Sequence, residues 1–276
     1  MRNLLDDVAA AGGATTRLAL RALGHDGRRI QKAVATGSLD AVGRSWIVLP
    51  DAEPAIGIAL RARGVVGGAT ALRTYGVWVT ADPAVQVATR PHANPGPLSG
   101  AERVWGAFDV DAMPWRVSIV DALVQHCRRV EKADAIASLD SAWHKGMIDE
   151  DGIASVFAGL PRRCAGWRRQ LDRAAESGLE SLLRVDCLDR GWRIVSQPPA
   201  PGGGRSDLLV EDWLYVEADG RQWHDDPRQA EKDRRRNTAV MLAGGRWLRF
   251  GYADVVHRRP TTIEAIATVL RQGRPR

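Results

Sequence analysis

The stretch that most constrains this chain is residues 206–219, SDLLVEDWLYVEAD. Two apolar runs, 206–210 and 213–219, flank the polar pair Glu211-Asp212, the pattern of an antiparallel hairpin. Side chains two apart in a strand share a face, so Glu217 and Asp219 point one way and Ala218 the other. The place of Asp207 hangs on the turn. A three-residue turn (211–213), or its bulged equivalent, pairs 207 with 217 and brings both carboxylates to one face. A two-residue turn pairs 207 with 216 and sends them to opposite faces. Either YVEADGRQWHDD (215–226) is a strand running out into a polar turn, or it is an acidic cluster that holds a metal ion. Converging carboxylates repel unless a hard divalent cation neutralises them. Mg²⁺ or Mn²⁺, bound by Asp207, Glu217 and Asp219 with waters and phosphate oxygens, meets that need.

The flanking pattern predicts a helix over about 167–189, broken near Ser177-Gly178, then a strand over 192–197 and the turn PPAPGGG (198–204). After the hairpin come a helix over 227–243, a strand over 246–250 and a helix over 261–271. Pro227 suits a first helical turn and Gly244-Gly245 a helix stop. Glu180 offers a fourth acid, but Ser177-x-x-Glu180 is also a capping box in which Glu180 bonds back to the Ser177 backbone. The two roles are compatible. His224, beside the acid pair, is better placed than the other five histidines to meet a scissile phosphate. His126 and His144 lie in helical segments without a second ligand and read as structural. In KDRRRN (232–237), Lys232 and Arg236 are at i, i+4 and share a face. Lys232, Arg235 and Arg236 are either a solvated charge run or the phosphate-binding side of the acidic site.

The first fifty residues alternate helix and turn signals: a helix over 4–10, a second capped by Thr15 or Thr16, and a third, GRRIQKAVATG, capped by Asp26. Runs at 39–42 and 45–49 around Gly43-Arg44 predict a hairpin. Together these make a small winged helix-turn-helix. Arg28, Arg29 and Lys32 project from its third helix, either as a solvated face or as DNA contacts. Residues 51–165 predict a middle α+β segment, with strands within 77–90, a Pro/Gly loop over 91–100 and helices over 118–146; no chemistry is evident there.

The order α-β-β-β-α-β, with an acid on the first helix, an Asp opening a hairpin strand and Glu-x-acid on the next, resembles the PD-(D/E)XK nuclease superfamily. More narrowly, SGLESLLR, RSDLLV, YVEADGRQWH, KDRRRN and RWLRF, spread over roughly 166–272, look like an endonuclease-like family of unknown function related to very-short-patch-repair endonucleases. Residues 1–50 look like the winged-helix domain of AbiEi-type antitoxins. The resemblance implies an α/β fold in three parts (1–50, 51–165 and 166–276). It also implies an acidic site of Glu180, Asp207, Glu217 and Asp219, with His224 close by. The lysine that the superfamily places two residues after the acid is Asp219 here; Lys232, Arg236 or His224 would have to substitute. The repair enzymes' additional zinc site has no counterpart, because Cys187 is the single cysteine of this region.

Whole-chain properties fit that direction. A net charge of +6 and a pI of about 9.7 are compatible with a nucleic-acid partner. Three scattered cysteines make neither a CxxC pair nor a disulfide framework, and no run approaches the roughly 18 apolar residues of a membrane span. A cytoplasmic protein is expected. The leading expectation is a metal-dependent DNA endonuclease, in DNA repair or in phage or mobile-element defence. The rival is a non-catalytic DNA-binding regulator or antitoxin. Phosphodiester chemistry leaves an RNA target open, and the sequence leaves the oligomeric state open, a homodimer included.

Overall fold

The computed structural model describes residues 3–81, 84–219 and 227–275, with side chains described except at 227–233. The expected mixed α/β class is what the chain adopts, in two compact units. One comprises residues 1–77, 81–129 and 154–159; the other comprises 78–80, 130–153 and 160–276.

The first unit begins α1 (Leu4–Ala10), β1 (Ala14–Thr16), α2 (Arg17–Ala22), α3 (Gly27–Ala35), β2 (Asp40–Val42), β3 (Trp46–Val48). The caps are the expected ones: Thr16 Oγ1 accepts from Ala19 N (3.1 Å) and Asp26 Oδ1 from Arg28 N (3.2 Å). The three strands form an antiparallel sheet in the order β1-β3-β2, and Val42 pairs with Trp46 around the turn at Gly43. Leu4, Val8, Leu20, Ile30, Leu39 and Ile47 interlock beneath it. Buried His25 meets Asp7 at 2.6 Å and ties α1 to the turn before α3. Arg28, Arg29 and Lys32 are exposed, because Ile30 takes the core-facing position of α3.

The unit continues with α4 (Pro54–Arg61), β4 (Val65–Val66), α5 (Gly68–Thr74), β5 (Val85–Thr89), β6 (Ala101–Trp105) and α6 (Ile119–Cys127). Among the described residues of the strands expected within 77–90, 85–89 forms one. Trp115 Nε1 donates to Ala11 O (2.8 Å), and a Cβ at Gly12 would stand 2.9 Å from the Trp115 ring. Residues on either side of position 50 are therefore packed together.

The second unit holds α7 (Lys132–His144) and the start of α8 (Glu150–Gly159), a 3₁₀ stretch (Arg162–Gln170), α9 (Gly178–Asp189), β7 (Ile194–Ser196), β8 (Leu208–Val210) and β9 (Leu214–Asp219). Then follow α10 (Pro227–Leu242), β10 (Arg246–Gly251), α11 (Tyr252–Val256) and α12 (Arg259–Gln272). The sheet order is β10-β9-β8-β7. β7, β8 and β9 are antiparallel neighbours, while β10 runs parallel to β9, which requires the crossover that α10 provides. Leu208, Val210, Leu214 and Val216 form one face of the sheet and share a core with Leu179, Leu182 and Leu183 of α9 and with Ile136 of α7. Residues 51–165 thus divide between the two units.

The helix expected over 167–189 has its break at Ser177-Gly178, where α9 begins, but the part before the break is corrected. It is a 3₁₀ stretch ending at Gln170, followed by an irregular link. Tertiary capture overrides the local pattern. Buried Asp140 accepts from Asp172 N (2.8 Å), Ser181 Oγ (2.8 Å) and Arg184 Nη2 (2.6 Å), and Arg184 Nη1 donates to Gln170 O (2.6 Å). Gly178 also lies flat on Trp78, where a Cβ would stand 2.2 Å from the indole. Burial pushes the Asp140 carboxyl up to about 6, although Arg184 and the hydrogen bonds oppose it. Breaking such a pair leaves an uncompensated buried charge. Arg184→Met is expected to cost about 3–5 kcal/mol, read as a lower urea midpoint; pairing it with Asp140→Leu should recover much of the loss.

Candidate active site

The site is built on the β8–β9 turn. Glu211 (φ 51°) and Asp212 (φ 61°) both take left-handed backbone, as a type I′ hairpin turn demands, and Trp213 N donates to Val210 O at 3.3 Å. Trp213 is then an extra residue, because the ladder resumes with Val210 opposite Leu214. Neither turn residue is glycine, so the conformation is braced from β7's side. Glu211 Oε1 accepts from Arg193 N (2.8 Å), Glu211 N donates to Arg193 O (3.0 Å), and Arg193 Nη2 reaches Asp212 Oδ2 (2.8 Å). The pairs Leu208↔Val216 and Leu209↔Tyr215 follow, and one step further Asp207 stands opposite Glu217. This is the register of the three-residue alternative, and it puts both carboxylates on the face away from the α9 core.

Each acid meets a different environment. Asp207 Oδ2 accepts from Ala218 N (2.7 Å), which carries the strand pairing one step past the backbone ladder. Burial pushes the Asp207 carboxyl up to about 7; nearby Glu180, Glu217 and Glu176 add to the rise, and the Ala218 hydrogen bond opposes it. Glu180 is buried near the start of α9. Its Oε2 accepts from Gln197 Nε2 (2.8 Å) and from Glu176 N (3.0 Å). The expected capping box is half formed: Ser177 Oγ accepts from Glu180 N (3.3 Å), but the return bond goes to Glu176, not Ser177. Glu176 in turn pairs with Arg205 at 2.7 Å. Asp219 ends β9 on the Glu217 face, opposite Gly251.

Glu217 lies between two guanidiniums. Arg249, its register partner on β10, donates to Oε2 from Nη2 (2.7 Å) and Nε (3.1 Å). Arg236 of α10 approaches Oε1 at 3.4 Å and sits 4.8 Å from the centroid of the Trp247 ring, which stacks on Tyr215. Arg236, read from the sequence as part of a solvated charge run or as a phosphate anchor able to substitute for the missing lysine, is turned onto the acidic site, whereas Arg235 and Arg234 are exposed. His224 and the side chain of Lys232, both expected at the site, lie outside the described residues. Cys187 is buried, its thiol pushed up to about 12 mainly by burial, which leaves it inert.

Arg249, Gln197, Glu176 and Arg205 were not singled out from the sequence. Arg249 was within reach: once RWLRF (246–250) is taken as parallel to WLYVEAD, Arg249 falls opposite Glu217. The donor set, carboxylate oxygens of Asp207 and Glu217 on one face, suits a hard cation that keeps most of its waters. Among the described residues no group of three or more His, Cys, Asp or Glu is arranged to hold a metal ion by itself. No protein-family model matches the chain, and no curated protein is significantly similar to it.

The raised Asp207 value has a sign that can be checked. The folded state prefers the protonated carboxyl, so ionisation costs stability, fully above about pH 7 and not at all below the ordinary value of 3.8. In the absence of divalent cations, Asp207→Asn is expected to raise the melting temperature at pH 8 by roughly 2–4 °C for each kcal/mol relieved. The gain should shrink steadily towards pH 4 in a thermal melt series.

Proposed function

We propose that this protein is a metal-dependent endonuclease acting on DNA, with residues 166–276 as a PD-(D/E)XK-like domain and residues 1–50 as a winged helix. The observation that carries the reading is the register that sets Asp207 opposite Glu217. The element order α9-β7-β8-β9-α10-β10 and the three-stranded antiparallel sheet whose strands bracket α2 and α3 support it. Asp207 and Glu217 would hold Mg²⁺ or Mn²⁺, with Asp219 a further ligand or the group that orients the attacking water. When bound, the cation supplies a water of lowered pKa and counter-charge for the phosphate oxygens. Glu180, held by Gln197, keeps the field at Asp207 negative. In this reading His224 would serve the leaving oxygen and Lys232 the phosphate. Arg28, Arg29 and Lys32 would track the DNA backbone.

One observation favours a second reading, a DNA-binding regulator whose nuclease-like domain no longer cuts: the Glu217 carboxylate already has two guanidinium partners. Plasmid nicking across a metal series separates the two. The endonuclease reading expects Mg²⁺- or Mn²⁺-dependent nicking that falls at least about 100-fold in Asp207→Ala. Equal cleavage by variant and wild type would remove Asp207 from the site, and no nicking with retained promoter binding would favour the regulator.

The DNA-contact assignment has its own test. Replacing Arg28, Arg29 and Lys32 with Ala should weaken duplex binding and flatten the dependence of log K on log [salt] by about 0.9 per lost phosphate contact. An unchanged slope in a fluorescence-anisotropy salt series would mean the three residues only solvate α3.

A further inference from the structure

Glu217 is gripped by its two guanidiniums in unlike ways. Arg249 donates from two nitrogens to one carboxylate oxygen, Oε2, from a strand position in register with it. Arg236 reaches Oε1 from Nη2 alone at 3.4 Å, and that nitrogen also donates to Arg205 O at 2.5 Å. Arg236 Nε is buried with no hydrogen-bond partner among the described residues. Its remaining support is the Trp247 face. One grip is short, two-pronged and built into the ladder; the other is long, single and leaves a donor desolvated.

We propose that Arg236 is an exchangeable counter-ion: it occupies the side of Glu217 that a divalent cation takes, and when displaced it delivers its guanidinium to a phosphate oxygen of the bound strand, while Arg249 stays and aims the carboxylate. This rests on the nuclease reading above. Two cations drawn to Oε1 repel one another, so each weakens the other's hold on Glu217, and the weakening is reciprocal. A freed guanidinium next to exposed Arg234 and Arg235 suits a phosphodiester, whose charge and oxygens match its planar fork. Trp247 gives the side chain a flat surface to pivot on, so its stem keeps its packing through the exchange. Cation and DNA binding are thereby coupled through one side chain, and the coupling supplies the positive charge that Asp219 does not.

The test is calorimetric titration of the full chain with MnCl₂, followed by duplex binding with and without Ca²⁺. Arg236→Gln should bind Mn²⁺ more tightly, on the order of tenfold. Arg236→Met, which keeps an apolar stem on Trp247, should do the same, so the test survives a fold defect in either variant. Arg236→Lys keeps the competing charge and should stay near wild type. Arg205→Gln, which removes an exposed charge nearby, should change affinity by less than about twofold. The gain in duplex affinity that Ca²⁺ gives the wild type should vanish in Arg236→Gln. If the wild type binds Mn²⁺ and neither neutral variant binds it more tightly, the exchange is overturned while the cation site stands. If the variants tighten but keep the full Ca²⁺ gain, delivery to phosphate is overturned. If no protein in the series binds Mn²⁺, the cation site itself fails and the exchange fails with it.

Discussion

The extra residue at the β8–β9 turn governs the chemistry that the second unit can carry. Without Trp213 as an inserted residue, Asp207 would pair with Val216, and its carboxylate and that of Glu217 would point to opposite faces. The insertion is held from several directions at once. Glu211 and Asp212 accept left-handed backbone that L residues enter at a cost of roughly 1–2 kcal/mol each. Arg193 meets the Glu211 backbone and both carboxylates, and buried Trp213 anchors the bulge. A turn that costs energy, yet is braced by an adjacent strand, is the kind of local conflict that marks a position set by something other than folding.

That register brings together carboxylates whose surroundings then separate them. Asp207 has one backbone donor and three acidic neighbours, so its charged form is poorly supported. Glu217, directly opposite, lies between Arg249 and Arg236. Neighbouring acids driven apart in this way are the arrangement from which distinct roles in one site are made. The asymmetry has a simple origin in the topology. Glu217 is on a central strand and acquires a partner from β10, whereas Asp207 sits just before β8 and faces Glu180 and Glu176 from the α9 side.

Local signals were legible where local forces decide. The alternation in 214–219, the Thr16 and Asp26 caps and the outward basic face of α3 follow from period and capping chemistry, and each is found as expected. The turn was narrowed to two registers but not to one, because Glu211-Asp212 lacks the glycine that would have named its type; the brace from Arg193 is non-local. The expected helix from 167 failed for a similar reason, since Asp140, some thirty residues upstream, takes the Asp172 amide that an uninterrupted helix would use. Glu180 illustrates a finer limit. Its capping spacing was correct, but the fold sends its return bond one residue further out, and Gln197 then turns it towards Asp207.

The placement of Arg236 follows from the parallel strand pair. A parallel pair needs a crossover, and the crossover helix lies over the face that carries the site acids, so some side chain of α10 had to cover them. An apolar residue there would have left Glu217 with one guanidinium partner and no charge to offer a phosphate. A guanidinium covers the carboxylate and, in the exchange proposed, gives way to another cation, because its grip is a single long contact and its Nε has no hydrogen-bond partner among the described residues. The helix that the topology requires for folding is thereby also the element that can open the acidic face, and the residue that opens it carries the charge a phosphate seeks.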